Sequence, residues 1–209
     1  MSLTTRVLGS AVLAATMPLA QAAGIPDVVG DFLPTFGGTS AMTDLDVTSV
    51  LVTYNTSIDV FTFTSTQAGN VGLTSTGFYV WGVNRGAGTA AFAANGLPGV
   101  KFDITVILRP NGTGSVGATT LPAGAVTIAG NTITGVVSGS LLPTTGFAKA
   151  DYSFNLWPRN SAFTGFAAIS DFAPDAMNFT AIPVVPEPAS WALMAGGVGW
   201  LLMKRRRRA

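Results

Sequence analysis

The sequence predicts an all-β, antiparallel body of β-sandwich or jelly-roll-like type, flanked by an N-terminal signal helix and a C-terminal transmembrane helix. Three observations predict it. Between residues 23 and 182, short apolar runs alternate with polar positions and stop at Gly, Pro, Asn and Ser. Helical apolar periodicity is nearly absent from the same stretch. Each end of the chain carries one uncharged apolar segment bordered by basic charge.

In chain order, residues 1–22 come first. They hold Arg6, an apolar run at 7–15, and Ala20-Gln21-Ala22, with small residues where signal peptidase cuts. These are the three parts of a secretory signal peptide, cleaved after Ala22; an N-terminal anchor that stays uncleaved is the alternative. Residues 47–54, 60–66 and 77–83 are the first strand candidates. In "KFDITVILRP", Phe102, Ile104, Val106 and Leu108 fall on one face and Lys101, Asp103, Thr105 and Arg109 on the other, the period of two of a half-buried strand. Pro110-Asn111-Gly112 then turns the chain. Residues 125–137 read as a hairpin around Gly130-Asn131, with Val126 and Ile128 facing a strand that bears Ile133. "SGSLLP" at 138–143 fits a single helical turn, and 152–157 is another strand. Many short strands at regular spacing make a sandwich or jelly roll. A small membrane barrel shows the same alternation, but these runs are shorter than the roughly ten residues a barrel wall takes.

Residues 183–188 form a proline-rich spacer containing Pro186-Glu187-Pro188. Residues 189–203 are 15 positions without a charge. As a helix they reach about 22 Å, short of a bilayer core of about 30 Å. Lys204, Arg205, Arg206, Arg207 and Arg208 lie in the closing basic tail, 204–209. Basic clusters stay on the cytoplasmic side, so the body is expected outside the inner membrane.

This ending resembles the PEP-CTERM sorting signal in the order and spacing of its three parts: Val185 with Pro186-Glu187-Pro188, an apolar segment, and an arginine run. The resemblance covers about the last 25 residues. It implies that exosortase, a multi-spanning membrane enzyme of Gram-negative bacteria, recognises Pro186, Glu187 and Pro188. The protein would be held transiently in the inner membrane, then cleaved and passed to the cell surface or secreted, often in company with exopolysaccharide and biofilm matrix. A plain tail anchor is the alternative reading. The stretches 31–36, 44–47, 79–86, 121–135, 154–160 and 169–175 are similar to a domain that recurs in exported bacterial proteins with this signal; that domain implies no particular activity.

Composition removes several function classes. The chain of 209 residues has neither Cys nor His, which excludes disulfide scaffolds, thiol catalysis and the usual general base and zinc ligand. Between the two ends, five basic residues stand against nine aspartates, so the phosphate-neutralising stripe of a nucleic-acid binder is missing. Nucleophile motifs of the G-x-S-x-G and S-x-x-K types are absent.

The remaining candidates each have two readings. "GTGSVG" at 112–117 matches a dinucleotide fingerprint, but no helix signal follows it, and a hairpin loop is the plainer reading. Asp44 and Asp46, two apart on an extended chain, would point the same way and make a hard-oxygen pair for Ca2+, joined by Asp27, Asp31 or Asp59; or they sit on a solvated strand edge. Asp171 and Asp175 read as turn residues. Tyr79, Trp81 and Trp157 make either a sugar-stacking platform beside Arg85 or Arg159, or core. Asp103 and Asp151 are the carboxylates left for a glycosidase. The leading expectation is a non-enzymatic, exopolysaccharide-associated surface protein without a cofactor. A Ca2+-dependent carbohydrate-binding module and a carboxylate-based glycosidase are the alternatives.

Overall fold

Alternating apolar and hydroxylated residues build the longest strands. In "VFTFTSTQ", Phe61 and Phe63 are fully buried while Thr62, Thr64 and Thr66 remain partly exposed on the opposite face, as a pleat of period two requires. The computed structural model describes residues 24–184. They form twelve strands: β1 (Ile25–Pro26), β2 (Val47–Asn55), β3 (Val60–Gln67), β4 (Gly77–Asn84), β5 (Ile104–Leu108), β6 (Gly114–Val116), β7 (Thr119–Thr120), β8 (Val126–Ala129), β9 (Thr132–Ser138), β10 (Ser153–Asn160), β11 (Phe179–Thr180) and β12 (Ile182–Val184). These make two six-stranded sheets, one ordered β1-β2-β3-β9-β8 with β12 also on β2, the other β11-β10-β4-β5-β6-β7. The body is thus an all-β sandwich.

The core lies between the sheets. Phe61, Phe63 and Ile133 from the first sheet meet Trp81, Leu108 and Phe154 from the second. Phe63 packs edge-on to Trp81 at 5.4 Å and to Phe154 at 5.6 Å between ring centroids, a geometry aromatic quadrupoles favour. The hairpin expected around Gly130-Asn131 forms: Ala129 pairs with Thr132 and Ile128 with Ile133. Gly130 supplies the positive φ, 60°, that a two-residue turn demands. Residues Gly139–Leu141 make the expected single turn, of 3-10 type, capped by the Ser138 side chain.

A second apolar layer covers the outer face of the second sheet. It gathers Val80, Val100, Trp157, Ile169 and Phe172, with Phe92, Phe102 and Phe166 packed against them. Phe102 therefore departs from the face expected for it. The regular strand starts only at Ile104; Phe102 is joined to Thr89 by a lone bridge and packs on Trp157 and Phe92. Between them the chain bends at Asp103, whose carboxylate pairs with Arg85 at 2.8 Å. Gly82 belongs to this layer too: a Cβ there would lie 2.6 Å from the Trp157 ring, so only glycine admits the indole.

Both ends of the described fold close the same edge. β1 pairs antiparallel with Ser49 and Val50, and β12 runs parallel to residues Thr53, Tyr54 and Asn55. This shields the outer side of β2 from strangers. Sheet pairing continues through Pro183 and Val184, so the fold extends two residues into the segment expected as spacer. Among the described residues no helix is long and apolar enough to cross a membrane. The expected signal peptide with Ala20 and Ala22, the Pro186-Glu187-Pro188 motif, the segment 189–203 and the basic cluster lie outside the described residues.

Candidate metal centre

Five carboxylates converge beside the start of β2. Asp27 and Asp31 come from the segment after β1, Asp46 immediately precedes β2, and Asp171 and Asp175 follow β10. Backbone bonds draw these segments together: Asp27 N–H donates to Thr48 O at 2.9 Å, and Leu33 N–H to Ser170 O at 2.8 Å. Oxygens of Asp31, Asp46 and Asp171 all lie within 4.8 Å of one another, and so do those of Asp27, Asp31 and Asp175. Asp31 belongs to both triads.

The partners of these groups are few. Asp171 accepts from Val47 N–H at 3.0 Å, at the bulge between Val47 and Ser49, and from Phe172 N–H at 2.6 Å. Asp46 accepts from Gly30 N–H with both oxygens, at 2.9 and 3.1 Å. Asp27 Oδ2 and Asp31 Oδ1 are buried and have no hydrogen-bond partner among the described residues. Neither salt bridge among the described residues reaches the cluster. Burial, then the charges of Asp31 and Asp175, push Asp27 up to about 7. Burial pushes Asp171 up to about 8, with Asp27 and Asp31 adding to it. Asp31 and Asp46 are raised as well, chiefly by burial. Carboxylates this close must be neutralised by protons or by a cation. An all-oxygen donor set without sulfur or imidazole suits Ca2+ or Mg2+.

Asp44 stands apart from this group. The chain at Thr43–Leu45 is a 3-10 turn, not the extended stretch expected. That turn sends the Asp44 side chain to Thr74, whose N–H and hydroxyl donate at 2.7 and 2.6 Å, while Tyr79 hydroxyl donates to Asp44 O at 2.7 Å. Asp44 therefore fixes the loop before β4, and Asp46 alone of the pair enters the cluster. Asp59 is engaged elsewhere, accepting from Lys149 Nζ at 2.7 Å and Tyr54 hydroxyl at 2.9 Å. Asp171 and Asp175, expected as turn residues, are cluster members. Their distance in sequence from Asp46 leaves no local pattern by which to find them.

The other candidates resolve by burial. Tyr79 and Trp81 are fully buried between the sheets and Trp157 is buried in the second layer, on the opposite face of the sheet. Register fixes this, since Trp157 pairs with Val80 and Leu156 with Trp81. All three are core, and no sugar-stacking platform forms from them. Asp103 lines an open hollow of about 590 Å3 with Ala87, Thr89 and Phe102. Burial tends to raise its pKa, but Arg85 at 2.8 Å, Thr145 and Ala87 N–H outweigh that and hold it below the usual carboxylate value. A glycosidase acid needs the opposite shift. Asp151 is exposed on a separate 3-10 turn. "GTGSVG" forms a turn and the short β6, followed by β7 and not by a helix, so the phosphate-binding helix N-terminus of a dinucleotide site is missing there.

No family model matches this chain, and no curated protein matches it either.

Proposed function

We propose that the chain is an exported, extracytoplasmic β-sandwich protein, sorted by exosortase and working without catalysis at the cell surface or in an extracellular polysaccharide matrix. The observation that carries this reading is the order of parts after the fold. The last strand ends at Val184, Pro186-Glu187-Pro188 follows one residue later, then 15 uncharged residues, then five basic ones. Signal peptidase removes residues 1–22; exosortase reads the proline–glutamate–proline motif; the basic tail holds the precursor inward until it is cut. Glu187 is the only glutamate in the chain, which makes the test specific. In the native host, Glu187→Gln accumulates uncut precursor in the inner membrane, read as intact mass, while wild type is trimmed. Normal trimming of the variant sinks the sorting reading.

The carboxylate cluster favours a second reading, in which the surface domain is a Ca2+-stabilised binding module. Extracellular calcium modules bind in the range of about 0.1–1 mM. At pH 7.5, 10 mM Ca2+ then raises Tm by about 3–10 °C over EDTA. Asp31→Asn, which takes one oxygen donor from both triads, abolishes that response. In EDTA the same variant melts no lower than wild type, because a like charge has gone. Identical melting of wild type in Ca2+ and EDTA rules this reading out.

A further inference from the structure

The outer face of the first sheet carries a ranked array of threonines. Thr62, Thr64 and Thr66 stand on one face of β3. Across the ladder Thr64 sits beside Thr134 and Thr134 beside Thr127, while Thr66 sits beside Thr132. On the other flank β2 places Leu51 beside Thr64 and Thr53 beside Thr62. Sheet geometry spaces these side chains about 4.8 Å across strands and roughly 6.7 Å along them. The hydroxyls touch only loosely, Thr64 to Thr134 at 3.5 Å and Thr66 to Thr132 at 3.3 Å. In each pair one hydroxyl donates to the other, which keeps its own O–H for an outside partner, and every oxygen keeps a lone pair to accept from one. The strands β2, β3, β8 and β9 contain no charged residue at all.

We propose that this threonine face binds a neutral, hydroxyl-rich polysaccharide. Charge complementarity selects the partner. An anionic polymer would need Lys or Arg forks, and a cationic one carboxylates; this face offers neither. The ordered hydroxyls match a ligand whose own hydroxyls both donate and accept. The threonine methyls and Leu51 give apolar ground for the C–H faces of sugar rings. Sandwich sheets twist by about 20° per strand, which spoils registry with a rigid lattice such as ice and suits a chain that bends. Each contact is weak, and a long polymer compensates by engaging many at once. The inference deepens the surface-protein reading by naming a partner, and rests on it only for where that polymer is met.

The test uses the full-length chain, purified in a neutral detergent, and affinity gel electrophoresis with hydroxyethylcellulose, dextran, mannan and anionic alginate. Expected is retardation by at least one neutral polymer, undiminished by 0.5 M salt. The triple variant Thr64→Val, Thr66→Val, Thr134→Val keeps the strand shape but loses hydroxyls, and its affinity falls at least about tenfold. The matching triple Ser variant keeps the hydroxyls and gives up only the methyls, so its affinity falls less than that of the valine variant, and cooperative melting shows that all three fold. No retardation by any neutral polymer, undiminished binding by the valine variant, salt-sensitive retention by alginate alone, or adsorption to ice instead of polymer would each overturn it. Because this assay involves no processing, its failure is separable from failure of the sorting reading, which the Glu187 variant reports.

Discussion

Replacing Trp81 with alanine lowers the stability of the fold by about 4 kcal/mol, a fall of roughly 8–16 °C in Tm. Trp81 is fully buried at the centre of the sandwich, against Phe63 at 5.4 Å and Phe179 at 6.4 Å. Truncation opens a cavity that two hydrogen-bonded sheets cannot close, since the neighbouring rings are fixed by their own strands. A second variant separates packing from polarity. Trp81 Nε1 is buried with no hydrogen-bond partner among the described residues, and an unsatisfied donor costs about 1–3 kcal/mol. Trp81→Phe removes that donor while leaving most of the ring volume, so it costs about 1 kcal/mol or less. Urea unfolding followed by fluorescence and circular dichroism measures both. A loss well above about 1 kcal/mol for Trp81→Phe would show that the indole N–H is satisfied in solution.

Stability falls as pH rises from about 4 to about 8. Unfolded aspartates titrate near 3.8, whereas folded Asp27 titrates at about 7 and Asp171 at about 8. Within that window the folded state holds protons that the unfolded state has released, so raising the pH favours unfolding. The contribution of these groups is complete below about pH 4, fades progressively, and is gone above about pH 8. Asp171 is 1% exposed and dominates; the partly exposed Asp27 adds less, because solvent screens it. The shift at Asp171 alone corresponds to on the order of 5–6 kcal/mol. Asp59 and Asp103 act with the opposite sign. Lys149 holds the first below the usual value and Arg85 the second, against their burial, so their stabilisation is present above the unfolded value and is lost as pH falls below it. Maximum stability therefore lies near pH 4–5. Urea midpoints at pH 3, 4.5, 6, 7.5 and 8.5, in EDTA, test this, and Asp171→Asn flattens the upper limb. A profile that is flat or rises toward pH 8 contradicts the arrangement of the cluster.

The strands were largely legible in the sequence. Val47–Asn55, Val60–Gln67 and Gly77–Asn84 begin where the alternation begins, and the hairpin at Gly130-Asn131 turns where its turn residues stand. The strand at Ile104–Leu108 was legible from Ile104 onward, but not at Phe102. Nothing near Phe102 indicates that a second apolar layer, assembled from residues as distant as Phe92 and Phe166, waits on the other side. The carboxylate site was half legible. Asp46, Asp27 and Asp31 lie in one acidic stretch, yet Asp44 joins them only on a chain extended through residues 43–45, where the fold makes a 3-10 turn. The threonine ladder was visible as T-x-T-x-T at 62–66 and T-x-T at 132–134, but composition alone could not make these runs neighbours.

What the sequence determined by itself is local: which residues form strands, which side of each strand is apolar, where the chain turns, and the charge pattern at its two ends. Those follow from the pleat, from turn preferences and from hydrophobicity, which act over a few residues. Only the tertiary structure decided which strands are neighbours, that one sheet is covered on both faces, and that Asp31, Asp46 and Asp171 share one place. Asp171 donates no signal to Val47, 124 residues earlier in the chain, until the bulged start of β2 presents its N–H to that carboxylate. Like charges meet there because burial of the surrounding apolar side chains holds the segments together against their repulsion.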